Sequence, residues 1–142
     1  MRKIIIVCLL QIILYGCNNR EFLIENNNVK LYFNANMSKL MSNSDLAISA
    51  CGSTLYELAA CGIPTIGIIV AENQERLGKI MHDRGMVYNL GWSSKLEAKI
   101  VKNVVEMICR DYKYRHEMIE NQKCIDKYGV FNICSILREK YL

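Results

Sequence analysis

Gly52-Ser53-Thr54 is where residue types and spacing in this 142-residue chain first suggest chemistry. The tripeptide follows the apolar run Leu46-Ala47-Ile48-Ser49-Ala50 and stands where a helical stretch begins. A strand, a turn of small residues and a helix start, in that order, form an arrangement that binds phosphate. The amides of a first helical turn have no partner inside the helix, they point outward, and the helix dipole adds partial positive charge there. Gly52 lets the backbone approach a diphosphate closely, while Ser53 and Thr54 can donate hydroxyl hydrogen bonds. An ordinary strand-to-helix turn with a good cap is the competing reading. Thr54-Leu55-Tyr56-Glu57 fits a capping box, in which hydroxyl and carboxylate satisfy free amides. Cys51 directly precedes the loop, where a helix start lowers a thiol pKa, so it is the one nucleophile worth testing. Neither Cys51 nor Cys61 has a base nearby in sequence to activate it. His82 and His116 lie among charged helical residues and are expected to face solvent, so no catalytic residue is assigned.

The elements that must hold this loop can be read from periodicity and punctuation. Lys3 to Leu10 reads as a buried parallel strand, whose two covered faces call for continuous Ile, Val and Leu. Asn26 to Asn28 is a polar turn, Val29 to Phe33 a short strand, and Ser38 to Ser42 one or two helical turns. Leu46 to Ala50 is a second buried strand, and the helix from Thr54 is ended by Gly62 and Pro64. Thr65 to Val70 is a strand, Glu72 to Arg84 a helix stopped by Gly85, and Met86 to Leu90 a last short strand. Leu96, Ile100, Val101, Val104, Val105 and Ile108 recur at helical spacing and mark an amphipathic helix. Helical segments over about Arg110 to Ile125 and Val130 to Tyr141 follow, separated by Asp126-Lys127-Tyr128-Gly129. Strands alternating with helices predict an α/β, Rossmann-like domain: a parallel sheet with helices on both faces. In such a sheet the Gly52 loop lies at the carboxyl edge, where ligands bind.

Composition narrows the class. Hydrophobic residues make up 51% and charged residues 23%, with 8 Gly and 1 Pro, which describes one packed domain over residues 1–142 and excludes a disordered or low-complexity chain. A net charge of +4 without a tight basic block argues against nucleic acid as a partner. The 7 cysteines are scattered, odd in number and free of any C-x-x-C pair, and the chain has 2 histidines. That pattern argues against a metal site or a secreted disulfide scaffold and for reduced cysteines in a cytoplasmic protein. At the N-terminus, Met1-Arg2-Lys3, a short apolar run and Leu14-Tyr15-Gly16-Cys17 resemble a bacterial lipoprotein signal, which would make Cys17 a lipid acceptor. The run is too short to span a bilayer, which takes about 20 apolar residues, so no stable membrane insertion is expected.

Read together, Asp45-Leu46-Ala47-Ile48-Ser49, Gly52-Ser53-Thr54, Glu57-Leu58, Gly62-Ile63-Pro64 and Asn73-Gln74 stand in close order. This series resembles the C-terminal, nucleotide-sugar-binding domain of GT-B-fold enzymes. Within that group it is most similar to the UDP-sugar hydrolases of pseudaminic acid synthesis and the spore-coat polysaccharide proteins. It is more distantly similar to the glycosyltransferase that makes lipid II. The resemblance implies that Gly52-Ser53-Thr54 holds the diphosphate of a UDP-sugar and that Glu57 accepts hydrogen bonds from the ribose hydroxyls. It implies that Asn73 and Gln74 face the sugar, and that Phe33 to Met37 packs beside the uracil. Each has a plainer alternative: a cap for Glu57, a polar helix start for Asn73-Gln74, core packing for Phe33 and Met37. No cofactor and no metal are implied.

The departures from the family matter equally. The full enzymes have two domains with the reaction in the cleft between them, and the related hydrolase carries its catalytic histidine in the N-terminal one. This chain starts at what corresponds to the second strand of the C-terminal domain, so it reads as the N-terminally truncated C-terminal half of a GT-B fold. The expectation is a UDP-sugar-binding domain of a cell-surface polysaccharide or nonulosonic-acid pathway, serving a hydrolase or a glycosyltransferase. The alternatives are a non-catalytic domain that pairs with a separate chain supplying the missing half, and a lipoprotein acylated at Cys17.

Overall fold

The computed structural model describes residues 4–7 and 36–141. The strand expected over Val29 to Phe33, the turn before it, Phe33 itself and the Cys17 segment lie outside the described residues. Among the described residues four parallel strands, β1 (Ile4–Val7), β2 (Leu46–Ala50), β3 (Thr65–Ile69) and β4 (Tyr88–Trp92), pair in the order β1-β2-β3-β4. The register sets Ile4 beside Leu46, Ile48 beside Ile66, and Ile66 beside Tyr88. The helices are α1 (Met37–Ser42), α2 (Thr54–Ala60), α3 (Glu75–Asp83), α4 (Ala98–Arg110), α5 (Tyr112–Gln122) and α6 (Gly129–Tyr141), with 3-10 turns at Glu72–Gln74 and Ser93–Lys95.

Every residue of β2 and β3 is buried, which is why both read as largely apolar runs, Ser49 and Thr65 being the polar members. Alternate residues of a strand point to opposite faces, and the core divides accordingly. Leu46, Ile48, Ile66 and Ile68 pack on Ile108, Val101, Val104 and Val105 of α4. On the other face Ala47 meets Met41 of α1 and Leu58 of α2, while Cys51 and Ile69 meet Leu55 of α2 and Met81 of α3. Helices therefore cover both faces of the sheet, as an α/β Rossmann-like domain requires. In α4, Ile100 departs from its expected place in the apolar stripe and is 42% exposed.

Two helices end in the same device. Gly62 (φ 69°) and Gly85 (φ 66°) adopt the left-handed backbone that terminates α2 and α3. The amides of Gly62 and Ile63 donate to Ala59 and Leu58 carbonyls, and those of Gly85 and Met86 to His82 and Met81 carbonyls, the Schellman pattern. The second cap corrects the expected last strand. The Met86 amide is committed to Met81 and its carbonyl accepts from Gln122 Nε2, so pairing starts at Tyr88 instead of Met86. The helix expected over Glu72 to Arg84 is divided, its first turn being 3-10. The helix expected from Arg110 starts at Tyr112, because Asp111 is extended and its carboxylate accepts from the Tyr114 amide at 2.9 Å.

Gln122, at the end of α5, had no signal in the sequence. It is buried, and its Nε2 donates to the Ile63 carbonyl at 3.0 Å and the Met86 carbonyl at 2.8 Å. One side chain thus ties α5 to the loops after α2 and α3. By contrast α6 buries none of its residues and exposes Val130, Phe131, Ile133, Ile136, Leu137 and Tyr141. Among the described residues no helix is long and apolar enough to cross a membrane.

Candidate functional site

At the carboxyl end of β2 the ladder continues for one more bond, Cys51 N–H to the Ile68 carbonyl at 3.0 Å, and the chain then turns into α2. Ser53 already has helical backbone (φ −56°, ψ −26°), and the Gly52 carbonyl accepts from the Leu55 amide at 3.0 Å. A capping side chain needs an extended residue before the first turn, and none stands here. The capping box expected for Thr54 and Glu57 is accordingly absent: no side chain caps α2. The amides of Gly52, Ser53 and Thr54 have no hydrogen-bond acceptor among the described residues, and both Glu57 and Ser53 are exposed.

The loop after β3 comes to the same edge. Gln74 Oε1 accepts from the Val70 amide at 3.1 Å. This holds the carboxamide over the Gly52 loop, where its Nε2 lies 3.8 Å from the position a Cβ on Gly52 would take. Asn73 is exposed on the intervening turn. The structure thus brings Gly52, Ser53, Thr54 and Gln74 to one place, with Asn73 beside Gln74 and Glu57 on the first turn of α2. Met37, at the start of α1, is half-buried against the cluster of Met41, Ala47, Leu58 and Ile63, so core packing accounts for part of its surface.

Cys51 is corrected as a nucleophile. Its side chain is fully buried, and burial pushes the thiol up to about 11 from 9.0. Desolvation of the thiolate outweighs the helix start that was expected to lower it. The cysteine does have a structural part that sequence reading missed. Its Sγ lies against Gly67 in mid-strand and Gly78 in mid-helix, so a Cβ on either would come within 2.7 Å and 2.9 Å of the sulfur. Glycine inside a strand or a helix is the available signal of such a close approach. The sulfur also lies 4.0 Å from Asn89 Oδ1, which accepts from the Gly91 amide at 2.9 Å.

The histidines lie apart from this edge in role. His82 is exposed, as expected, and its Nδ1 also lies within reach of the Val87 carbonyl and the Asn89 amide. His116 is exposed, stacked on Tyr112 and 3.7 Å from Glu120. Among the described residues no group of three His, Cys, Asp or Glu could hold a metal ion. A hollow of about 320 Å³ lies at the opposite, amino edge of β2 and β3, lined in part by Asp45, Pro64, Tyr112 and Arg115. Its floor is built from side chains already used to join α4 to α5, since Arg115 Nη1 donates to the Ile108 and Cys109 carbonyls. The carboxyl edge, with its free amides, is the better candidate site on chemical grounds.

Comparison with known proteins bears on this edge. The model of the glycosyltransferase family 28 C-terminal domain matches residues 11–128. The chain is 26% identical over 106 residues to the spore coat polysaccharide biosynthesis protein SpsG of Bacillus subtilis (strain 168), a stretch that covers 74% of this chain and 31% of that protein. The matched stretch is thus less than a third of that relative's length.

Proposed function

The chain belongs to the glycosyltransferase family 28 C-terminal domain family, and from that premise we propose that it binds the nucleotide-sugar donor of a polysaccharide-building enzyme, with UDP as the nucleotide. The observation that carries this reading is that the amides of Gly52, Ser53 and Thr54 have no acceptor among the described residues, at the carboxyl edge of a parallel sheet with the Gln74 amide above them. Those groups suit the two phosphates, because backbone donors at a helix start need no ordering when the anion arrives. Glu57 takes the ribose hydroxyls, Asn73 and Gln74 take the sugar, and Phe33 and Met37 flank the base.

In this proposal the domain positions the donor and stabilises charge on the diphosphate, while the general base comes from a separate N-terminal half. A water as acceptor makes the assembly a UDP-sugar hydrolase, and a sugar hydroxyl makes it a glycosyltransferase. The similarity to a spore coat polysaccharide biosynthesis protein supports a cell-surface polysaccharide pathway, and a nucleotide-sugar ligand is compatible with the cytoplasm. Calorimetric titration with UDP and ADP tests the reading. Selective binding of UDP is expected; equal affinity for both, or binding of neither, overturns the nucleotide assignment and leaves the fold untouched.

A further inference from the structure

Three segments meet on one atom, the Cys51 sulfur. Cys51 ends the β2 ladder and leads straight into the Gly52–Thr54 loop. Gly78 is the fourth residue of α3, the helix that begins directly after Gln74. Gly67 lies in β3 between them, and all three are packed without spare volume. A Cβ on Gly78 would stand 2.9 Å from the sulfur and 3.1 Å from both Cys51 Cβ and Asn89 Nδ2. A Cβ on Gly67 would stand 2.7 Å from the sulfur and 3.0 Å from Val87 Cγ1. Close-packed interiors transmit such crowding as displacement of whole elements. Because α3 begins directly after Gln74, a displacement of α3 is passed to Gln74 and Asn73.

We infer that the Cys51 sulfur is a spacer that sets the gap between the Gly52–Thr54 loop and the Asn73–Gln74 turn. Where the donor binds as proposed above, on which this second half rests, that gap is the distance between the diphosphate and sugar positions. Cys51 is then a positioning residue, acting through α3 without touching the ligand. Its bulk matches the missing side chains of Gly67 and Gly78, so volume added at a glycine is offset by volume removed at the cysteine.

The test is a cycle of Gly78→Ala, Cys51→Gly and the double variant, glycine at 51 removing both the Sγ and the Cβ that a Cβ on Gly78 would crowd, read by two independent probes. The first is the nuclear Overhauser cross-peak between the Gln74 side-chain amide and the Gly52 α-protons, which needs no ligand. It is expected in the native protein, lost in Gly78→Ala and restored in the double variant. The second is titration with UDP and UDP-N-acetylglucosamine. Gly78→Ala is expected to weaken the sugar nucleotide relative to UDP by roughly tenfold, the size of one lost hydrogen bond, and the double variant to recover it. A cross-peak that persists in Gly78→Ala, or stays absent in a folded double variant, overturns the spacer. Should Gly78→Ala fail to fold, the double variant must still fold and show the cross-peak, and its failure counts equally against the inference. An unchanged affinity ratio alongside the expected cross-peaks overturns the link to ligand geometry. No UDP binding by the native protein, with cross-peaks as expected, refutes the ligand reading and leaves the spacer standing.

Discussion

Glu57 is the residue at which two roles separate cleanly, because the helix it belongs to is uncapped by any side chain. With no capping bond to lose, Glu57→Gln is expected to leave the melting temperature unchanged. Hydrogen bonds to an ionised acceptor are worth about 1.5–3 kcal/mol, so if Glu57 holds the ribose, UDP affinity falls roughly tenfold or more. A thermal melt and a UDP titration on the same variant check both statements, and unchanged affinity removes Glu57 from the site. Cys51 gives a second prediction at this scale. A buried thiol with its pKa raised to about 11 stays protonated while the unfolded chain ionises near 9.0. The native state then binds the extra proton, so stability contributed by the neutral thiol is present below pH 9 and is lost as pH rises through the 9 to 11 window. Two units correspond to at most about 3 kcal/mol. Chemical denaturation across that range should show a steeper decline for the native protein than for Cys51→Ala. At pH 8 a thiol alkylating reagent should modify the exposed Cys61, Cys124 and Cys134 and spare Cys51.

At the scale of the element, Gln122 is the side chain on which the ends of α2 and α3 depend. Gln122→Ala removes the Nε2 bonds to the buried Ile63 and Met86 carbonyls, of which Ile63 keeps the Thr65 hydroxyl at 2.8 Å. Losing both bonds is expected to cost about 2–4 kcal/mol, read as a fall in the denaturation midpoint at unchanged slope. Gln122→Glu should be at least as damaging, since a buried carboxylate would face two carbonyl oxygens. What could be read in advance divides along the same line. The runs Leu46 to Ala50 and Thr65 to Val70 were legible because a strand covered on both faces is mostly apolar and carries no charge. Gly62 and Gly85 were legible as stops because their left-handed backbone is hard for any other residue. The start of β4 was not, because Met86 is claimed by a cap and by Gln122, a partner 36 residues away. The missing capping box has a similar origin: Ser53 is already helical, which a pattern of residue types at fixed spacing does not reveal. Of the candidate site, the Gly52 loop and Asn73-Gln74 could be singled out from sequence, but not that the Gln74 carboxamide is fixed by the Val70 amide. That bond exists only because the chain turns sharply between β3 and α3.

For the molecule as a whole, the described residues divide into a packed body and an appended helix. Among them α6 contributes nothing buried, so deleting residues 129–141 is expected to change stability by no more than about 0.5 kcal/mol, measured by urea denaturation. A larger loss would mean that α6 has packing partners beyond those described. The body is built so that each described strand pairs with the described strand before it, which has a consequence for the order of events during synthesis. As the chain emerges, β2, α2, β3, α3 and β4 can assemble one after another, with no need to wait for a distant strand. Yet among the described residues Leu46, Ile48, Ile66 and Ile68 take much of their cover from Ile108, Val101, Val104 and Val105 of α4, which is translated last of these. Until residue 110 has left the ribosome, the aliphatic face of the growing sheet lacks the cover that α4 gives it. The hazard of this fold is therefore a matter of timing: a nascent chain stalled between β4 and α4 presents its stickiest surface, and chaperone capture should peak there.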